Sequence, residues 1–408
     1  MNESKLDAVE LRRRTPSAWT ALLQSTPDMG DVMATAVSAK PLRQRSQKTA
    51  ANHLVQYLVS LAHHSDPISF IAKYSNRQEI NFYRSFASQL PHLAPQTWFT
   101  HLFADEGWMI MEDVPQHAVP EQWSAVDVED IVHDLAQMHQ TFWKQDAALE
   151  DGGLHHFIDG KSYSWDDLRS EHAFLFEEGP ATPISQHAIH HVGRMAPLFL
   201  QAANGLTVMR SLGGWPGVMG ESHLTAVNDL LDDPVPMLEP LRNLPTTLLH
   251  GNPRSDHWHV TLFGERRLLD WGKAMIGPSI LDLVSFLEQF DLLHQANNRW
   301  NVVLRTEWPI TEETIIDNYL LQLSNSVPQF DARAVRQAIP AARCLYTLIN
   351  WFPYFASWAT EMPNKYTWQR VNRMSNTDMS NTIFHPMIQF RPYLSTVFQR
   401  FLRAVRTL

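Results

Sequence analysis

The chain has 408 residues, 44% hydrophobic and 11% aromatic, with 14 Trp, a length that suits two or three packed units better than one core. Lys and Arg total 33 against 43 Asp and Glu, a formal net charge of −10, which excludes a mainly electrostatic nucleic-acid binder but leaves room for a local basic site for a nucleotide. The charged start MNESKLDAVELRRR has no apolar leader segment, and no run of eighteen apolar residues occurs, so no signal peptide or membrane span is expected and a cytoplasmic location is the default.

Residues 1 to about 50 are polar, with the basic stretch 12–14 and further cations between Lys40 and Lys48, and read as a loose lead-in. Pro67 to Tyr74, PISFIAKY, alternates as a strand does, with Ile68, Phe70 and Ala72 on one face and Ser69, Ile71 and Lys73 on the other. A helix follows from Arg77 to Leu90, with Ile80, Tyr83 and Phe86 at helical spacing and Pro91 as its stop. A second strand is expected at Gly107 to Met111, before the polar turn Glu112–Asp113–Val114–Pro115. Ala125 to Trp143 carries an apolar helical stripe of Val128, Ile131, Val132, Leu135, Met138 and Phe142, read as core packing.

The middle of the chain, about 150 to 245, is helical in composition with Gly and Pro interruptions. Its glycine cluster GGWPGVMG, 213–220, lacks the preceding strand and the following Lys-Ser/Thr of a P-loop, and reads as an ordinary loop. A short buried strand at Thr247 to Leu249 then ends at His250–Gly251. A polar loop leads to a strand pair, Trp258–Leu262 and Arg267–Asp270, joined by the turn Phe263–Gly264–Glu265. The chain is read as helical from Ser279 to its end. The single cysteine, Cys344, lies in an apolar helix and reads as a buried small hydrophobe, since one thiol makes neither an internal disulfide nor a cysteine metal cage.

The chemistry concentrates in HGNPRSDH, His250 to His257, and in Asp270, thirteen residues later. Two polar loops at the ends of adjacent strands present side chains to one place. Asp282, in the helix start SILDLVSFL, can brace the first loop by hydrogen bonding. The pair His257/His259 lies on one face of an extended segment and suggests a transition-metal site with His250 as a further ligand; H-x-H is a weak signal in a chain with 20 His. His250 reads first as a brace within its loop.

These segments resemble the aminoglycoside phosphotransferase and choline-kinase family, relatives of the protein kinases. LLHGNPRSDHWHV is similar to the family's catalytic loop H-G-D-x-x-x-x-N, and LLDWGKAMIGPSILDLVSFL to its metal-binding I-D-W segment and D-L-A helix. Upstream, IAKYSNRQEINFYRSF resembles the strand lysine and helix glutamate, WMIMEDV the strand that receives adenine, and DLAQMHQTFW the D-L-A-x-L-H-x-x-F-W helix. The resemblance implies an α+β, protein-kinase-like two-lobed fold: an arm at 1–50, a small β-rich lobe at 51–112, and a large mostly helical lobe at 113–408 holding both loops within 246–290. It also implies ATP and Mg²⁺ as cofactors and a small-molecule hydroxyl as acceptor. Lys73 would hold the α/β-phosphates and Glu79 would hold Lys73. The backbone from Met111 to Val114 would bond adenine, and Asp270 would bind Mg²⁺.

The pattern departs from the family at three points. The catalytic aspartate falls on Asn252, which cannot accept the acceptor's proton but can orient its hydroxyl. The metal-binding asparagine falls on His257, and imidazole is a poor ligand for Mg²⁺ and a good one for zinc-like metals. No glycine stands between Leu42 and Asp66, where the family has a glycine-rich loop. Three readings follow: a divergent phosphotransferase, a pseudokinase-type protein that binds a ligand or partner without transfer, and an enzyme using the same residues, His257 among them, for other chemistry. Acceptor pockets of this family come from the C-terminal helices. Here those regions offer Trp165, Trp215, Trp300, Trp351 and Trp358, and the acids Asp166, Asp167 and Glu171, all read first as packing and a solvated face.

Overall fold

The computed structural model describes residues 15–26, 30–42, 54–114, 117–158, 164–171, 173, 184–261, 263–288, 310–358, 365–382 and 386–408. The basic stretch 12–14, the segment in place of a glycine-rich loop at 43–53 and Trp300 lie outside the described residues. The chain divides into two compact units. The first comprises Met1–Val119, Ala147–Leu154 and Asp256–Ala274; the second comprises Pro120–Asp146, His155–Ser255 and Met275–Leu408.

The first unit is built on a five-stranded antiparallel sheet in the order β1-β2-β3-β5-β4: β1 Ala34–Pro41, β2 Leu54–Leu61, β3 Ile68–Asn76, β4 Thr97–Phe103 and β5 Glu106–Glu112. Alternation in β3 sorts its two faces as expected. Phe70 and Ala72 are buried on one side with Tyr57, Val59, Trp108 and Ile110. That side is covered by the helix Pro16–Gln24, whose Trp19 packs against Tyr57 and Phe70 at ring-centroid distances of 5.1 and 5.2 Å. The loose lead-in therefore does not hold for residues 16–24 and 34–41. Trp19, Leu22 and Leu23 are four or fewer residues apart on one helical face, and burying them outweighs the polar flanks.

Asn76 ends β3 and caps the next helix, Arg77–Ser85, accepting from the Glu79 amide at 3.0 Å. A 3₁₀ turn at Ala87–Gln89 completes the expected helical segment. A smaller sheet in the same unit takes β6 (His117–Ala118), β8 (Trp258–Thr261) and β9 (Arg266–Leu268) in the order β6-β8-β9.

The second unit is mostly helical. Ser124 and Asp127 form a capping box at the start of the helix Ala125–Thr141, and the expected stripe from Val128 to Met138 is buried. This helix packs against Glu312–Ser326 and against β7 (Thr246–Leu249), which pairs with β10 (Met275–Pro278). The strand β10 was not expected, because Gly277–Pro278 reads as a breaker. Pro278 is the last residue of the ladder, where the missing amide is tolerated. A helix runs over residues 280–288. The long helices Ala196–Leu212, Ile339–Trp358 and Pro386–Val405 pack together, with Gly205 set against the backbone of Phe352. The glycine cluster at 213–220 is a loop closed by a bridge between Trp215 and Met219, as read from the sequence. Cys344 is fully buried. No described helix is long and apolar enough to cross a membrane. The fold class is α+β, one small β-rich unit and one larger helical unit.

Candidate functional site

In the β-rich unit, four of the expected residues come together. Lys73 lies on the face of β3 opposite Phe70 and Ala72. Its Nζ donates to Glu79 Oε1 at 2.7 Å and to Asp270 Oδ1 at 2.8 Å. Glu79 sits near the start of its helix, 1% exposed, and a carboxylate is not buried without partners. It has three donors: Lys73, the Ser75 hydroxyl, and the Trp271 amide at 3.2 Å. Burial alone would lower the Lys73 pKa. The charges of Glu79 and Asp270 outweigh that, and hold the ammonium above its ordinary value.

Asp270 is not the last residue of a strand, as the sequence suggested. β9 ends at Leu268, and Asp270 takes the left-handed region at φ 66°, ψ 60°. That turn sends the chain into a 3₁₀ segment at Trp271–Lys273. Trp271 then stacks on Phe82 at 3.6 Å with 6° between planes, and its indole N–H donates to the Leu268 carbonyl at 2.8 Å. Asn76 clamps the same segment through Gly272 O at 2.7 Å. The carboxylate of Asp270 is left 52% exposed. Its Oδ2 lies 3.4 Å from Nε2 of His257, whose side chain is 9% exposed. The backbone brings the two together, since the Leu269 amide donates to the His257 carbonyl at 2.9 Å.

Met111 lies in β5 opposite Ile71, on the same face as Lys73. The neighbouring Glu112 amide already donates to Gln96 O at 2.8 Å. His259 stacks on His117, with ring centroids 3.5 Å apart. Burial, then the neighbouring His117 and His257, push its imidazole down to about 4. Among the described residues no group of three or more His, Cys, Asp or Glu side chains is disposed to hold a metal ion by itself. Mg²⁺ does not need such a cage: it is commonly held by one or two carboxylates together with phosphates and waters. Asp270, a half-exposed hard oxygen donor, fits that role; the imidazole of His257 fits it poorly.

Asn252 belongs to the helical unit. There the loop after β7 is braced as the sequence suggested. The Asp282 carboxylate, 1% exposed, accepts from the amides of His250 at 2.7 Å and Gly251 at 2.9 Å. Gly251 has φ 77°, a conformation that favours glycine. His250 is fully buried, and its Nδ1 accepts from the Asn252 amide at 3.3 Å. Beneath the loop, His139 places Nε2 3.4 Å from Asp282 and Nδ1 2.6 Å from the Tyr319 hydroxyl. The Thr247 hydroxyl donates to the His139 carbonyl at 2.7 Å. The sequence showed His139 only as part of a motif, and nothing in it marked Tyr319.

The model of a phosphotransferase enzyme family matches residues 57–308. No curated protein matches the sequence. Solved structures similar to the chain include an aminoglycoside phosphotransferase from Alicyclobacillus acidocaldarius, 12% identical, with 90% of this chain and 97% of that one covered and a TM-score of 0.43. An ethanolamine kinase from Plasmodium vivax is also 12% identical, over 89% of this chain and 84% of that one, TM-score 0.43. A choline kinase from Streptococcus pneumoniae is 12% identical, over 91% and 94%, TM-score 0.41.

Proposed function

This chain belongs to the phosphotransferase enzyme family, and on that premise we propose that it moves the γ-phosphoryl group of a nucleoside triphosphate to a hydroxyl of a small-molecule acceptor. The observation that carries the reading is the Lys73–Glu79–Asp270 assembly, in which Lys73 bonds Glu79 at 2.7 Å and Asp270, 197 residues away in sequence, at 2.8 Å. Phosphoryl transfer rests on positioning and on neutralising charge, with little covalent work for the protein. Lys73 supplies a fixed ammonium for phosphate oxygens, and Glu79 keeps it charged and aimed. Asp270 would hold Mg²⁺, which when bound neutralises developing phosphate charge. Asn252 would orient the acceptor hydroxyl without taking its proton. Losing a general base typically lowers a rate by about 10²–10⁴, so slow turnover is expected.

The test is calorimetric titration of the full chain with ATP and with GTP, each with and without Mg²⁺, beside Asp270→Ala. Metal-dependent binding that disappears in the variant supports the reading. Binding by neither nucleotide in any condition removes it. Transfer is then followed by release of diphosphate nucleotide against a panel of hydroxylated acceptors.

A second reading is favoured by one observation, asparagine at position 252: a pseudokinase-type protein that binds without transfer. On this reading nucleotide binds but no acceptor is phosphorylated, and Asn252→Asp raises turnover from nothing to a measurable rate. ATP- or GTP-dependent phosphorylation by the unmodified chain excludes it.

A further inference from the structure

The face of the sheet that carries Lys73 holds a second polar group, which the reading above does not use. Ser69, Ile71 and Lys73 alternate onto this face along β3, and Gln56 of β2 joins them opposite Ile71. The Asp113 carboxylate, one residue beyond β5, reaches onto the same face. Its Oδ2 accepts from the Ser69 hydroxyl at 2.5 Å and from the Gln56 side-chain amide at 2.7 Å.

These two donors are neutral. They fix the orientation of the carboxylate without compensating its charge. Among the described residues no cation pairs with Asp113, and no hydrogen bond is made to its Oδ1. A partly buried carboxylate without a counter-charge is unfavourable unless donors complete its shell. If Asp113 served only to join β2 and β3, an amide would bind Ser69 and Gln56 at lower cost. The arrangement is that of an acceptor held ready for a ligand.

Spacing indicates which ligand. Ser69 and Lys73 are four residues apart along β3, or ~13 Å at about 3.3 Å per residue. That is comparable with the reach of a nucleoside triphosphate from its β-phosphate to the far edge of its base. Ile71, half-buried between them, offers an apolar seat for a planar ring. We propose that Asp113 selects the base of the nucleotide, and that the base is guanine. The inference rests on the phosphotransferase reading above. Guanine turns N1–H and the 2-amino group, both donors, toward a carboxylate. Adenine in the same place would set the lone pair of N1 against it, beside a single amino donor. Leaving a buried polar group unpaired, or facing a like-charged one, costs enough to change affinity by about ten- to a hundred-fold.

The experiment is titration of the full chain with Mg²⁺ and GTP, ITP or ATP, repeated with Asp113→Asn and Ser69→Ala. GTP is expected to bind at least ten-fold tighter than ATP, with ITP between them because it keeps N1–H and lacks the 2-amino group. Asp113→Asn is expected to abolish or reverse the preference, weakening GTP and tightening ATP, and Ser69→Ala to weaken GTP by a smaller factor. The ITP series needs no substitution, so a misfolded variant does not leave the idea standing. ATP binding as tightly as GTP, or a preference that survives Asp113→Asn, overturns this inference alone. Binding of none of the three overturns the phosphotransferase reading and this inference with it.

Discussion

Replacing Glu79 by glutamine keeps its shape and removes its charge. The buried carboxylate accepts from Lys73, Ser75 and Trp271. Glutamine has one oxygen to offer, and its amide N–H₂ must face a donor. Lys73 keeps Asp270 at 2.8 Å, but that partner is half exposed and therefore screened. Breaking a buried pair outright costs about 3–5 kcal/mol, and hydrogen bonds to charged groups about 1.5–3 kcal/mol each. With Asp270 remaining, the expected loss is about 2–4 kcal/mol. Because the chain has two units, a single melting curve would not isolate the effect. Hydrogen exchange of the β3 and β5 amides does, and should quicken by roughly 30- to 700-fold. The pH dependence has a definite sign. Since the folded-state pKa of Lys73 is raised, the cluster stabilises fully below the ordinary lysine value, and the effect fades as pH climbs through the folded value. Glu79→Gln should flatten that alkaline slope and lower the Lys73 pKa, read by NMR of ¹³C-methylated lysines. Unchanged exchange and an unchanged Lys73 titration would refute the reasoning.

Asp282→Ala removes the acceptor of the His250 and Gly251 amides and should destabilise the helical unit by about 2–4 kcal/mol, seen as lost exchange protection at those two amides. Gly205→Ala would place a methyl 1.8 Å from the Phe352 carbonyl oxygen, and should cost about 3 kcal/mol in urea denaturation. Burial pushes the Cys344 thiol up to about 12, so the folded chain should resist a thiol-disulfide reagent at pH 8 and react only after denaturation. His259 is held near 4 while an unfolded histidine titrates near its ordinary value, so acidification from pH 7 to 4 loads protons onto the unfolded chain first and removes stability. His259→Phe should reduce that acid sensitivity in a pH series of urea midpoints.

The parts of the site legible in the sequence are those where a local rule and a chemical group coincide. β3 was readable because alternation alone puts Lys73 opposite the side of Phe70 and Ala72. Glu79 follows in the first turn of the helix expected from Arg77. The Asp282 brace was readable because an aspartate at a helix start has few other uses near a tight loop. What was hidden depends on pairing across the chain. β4 has no clean alternation, every residue but the last being partly buried, so it gave no strand signal. Gly107, read as an ordinary strand start, is needed there because a Cβ would meet the His101 carbonyl oxygen of β4 at 2.1 Å. The left-handed turn at Asp270 is set by Trp271 stacking on Phe82, a contact between segments far apart in sequence. Asp113 read as a turn residue because its partners, Gln56 and Ser69, lie on two other strands.

The residues that match the family and those that depart from it differ in what holds them. Lys73 and Glu79 form a mostly buried pair; removing either leaves the other charge less well compensated, so the pair resists loss whether or not a phosphoryl group is ever transferred. Asn252 is only partly buried, and the brace beneath its loop runs through the backbone amides of His250 and Gly251, which an exchange of aspartate for asparagine at 252 leaves in place. Persistence of the lysine–glutamate pair therefore argues for the fold and for a place to bind phosphate, and is silent on turnover. The Asp113 carboxylate is of another kind: it is charged, held by neutral donors, and contributes little to stability that an amide would not. A group of that sort is explained by a ligand more readily than by the scaffold, which is why the choice between GTP and ATP tests retained binding more sharply than the lysine–glutamate pair does.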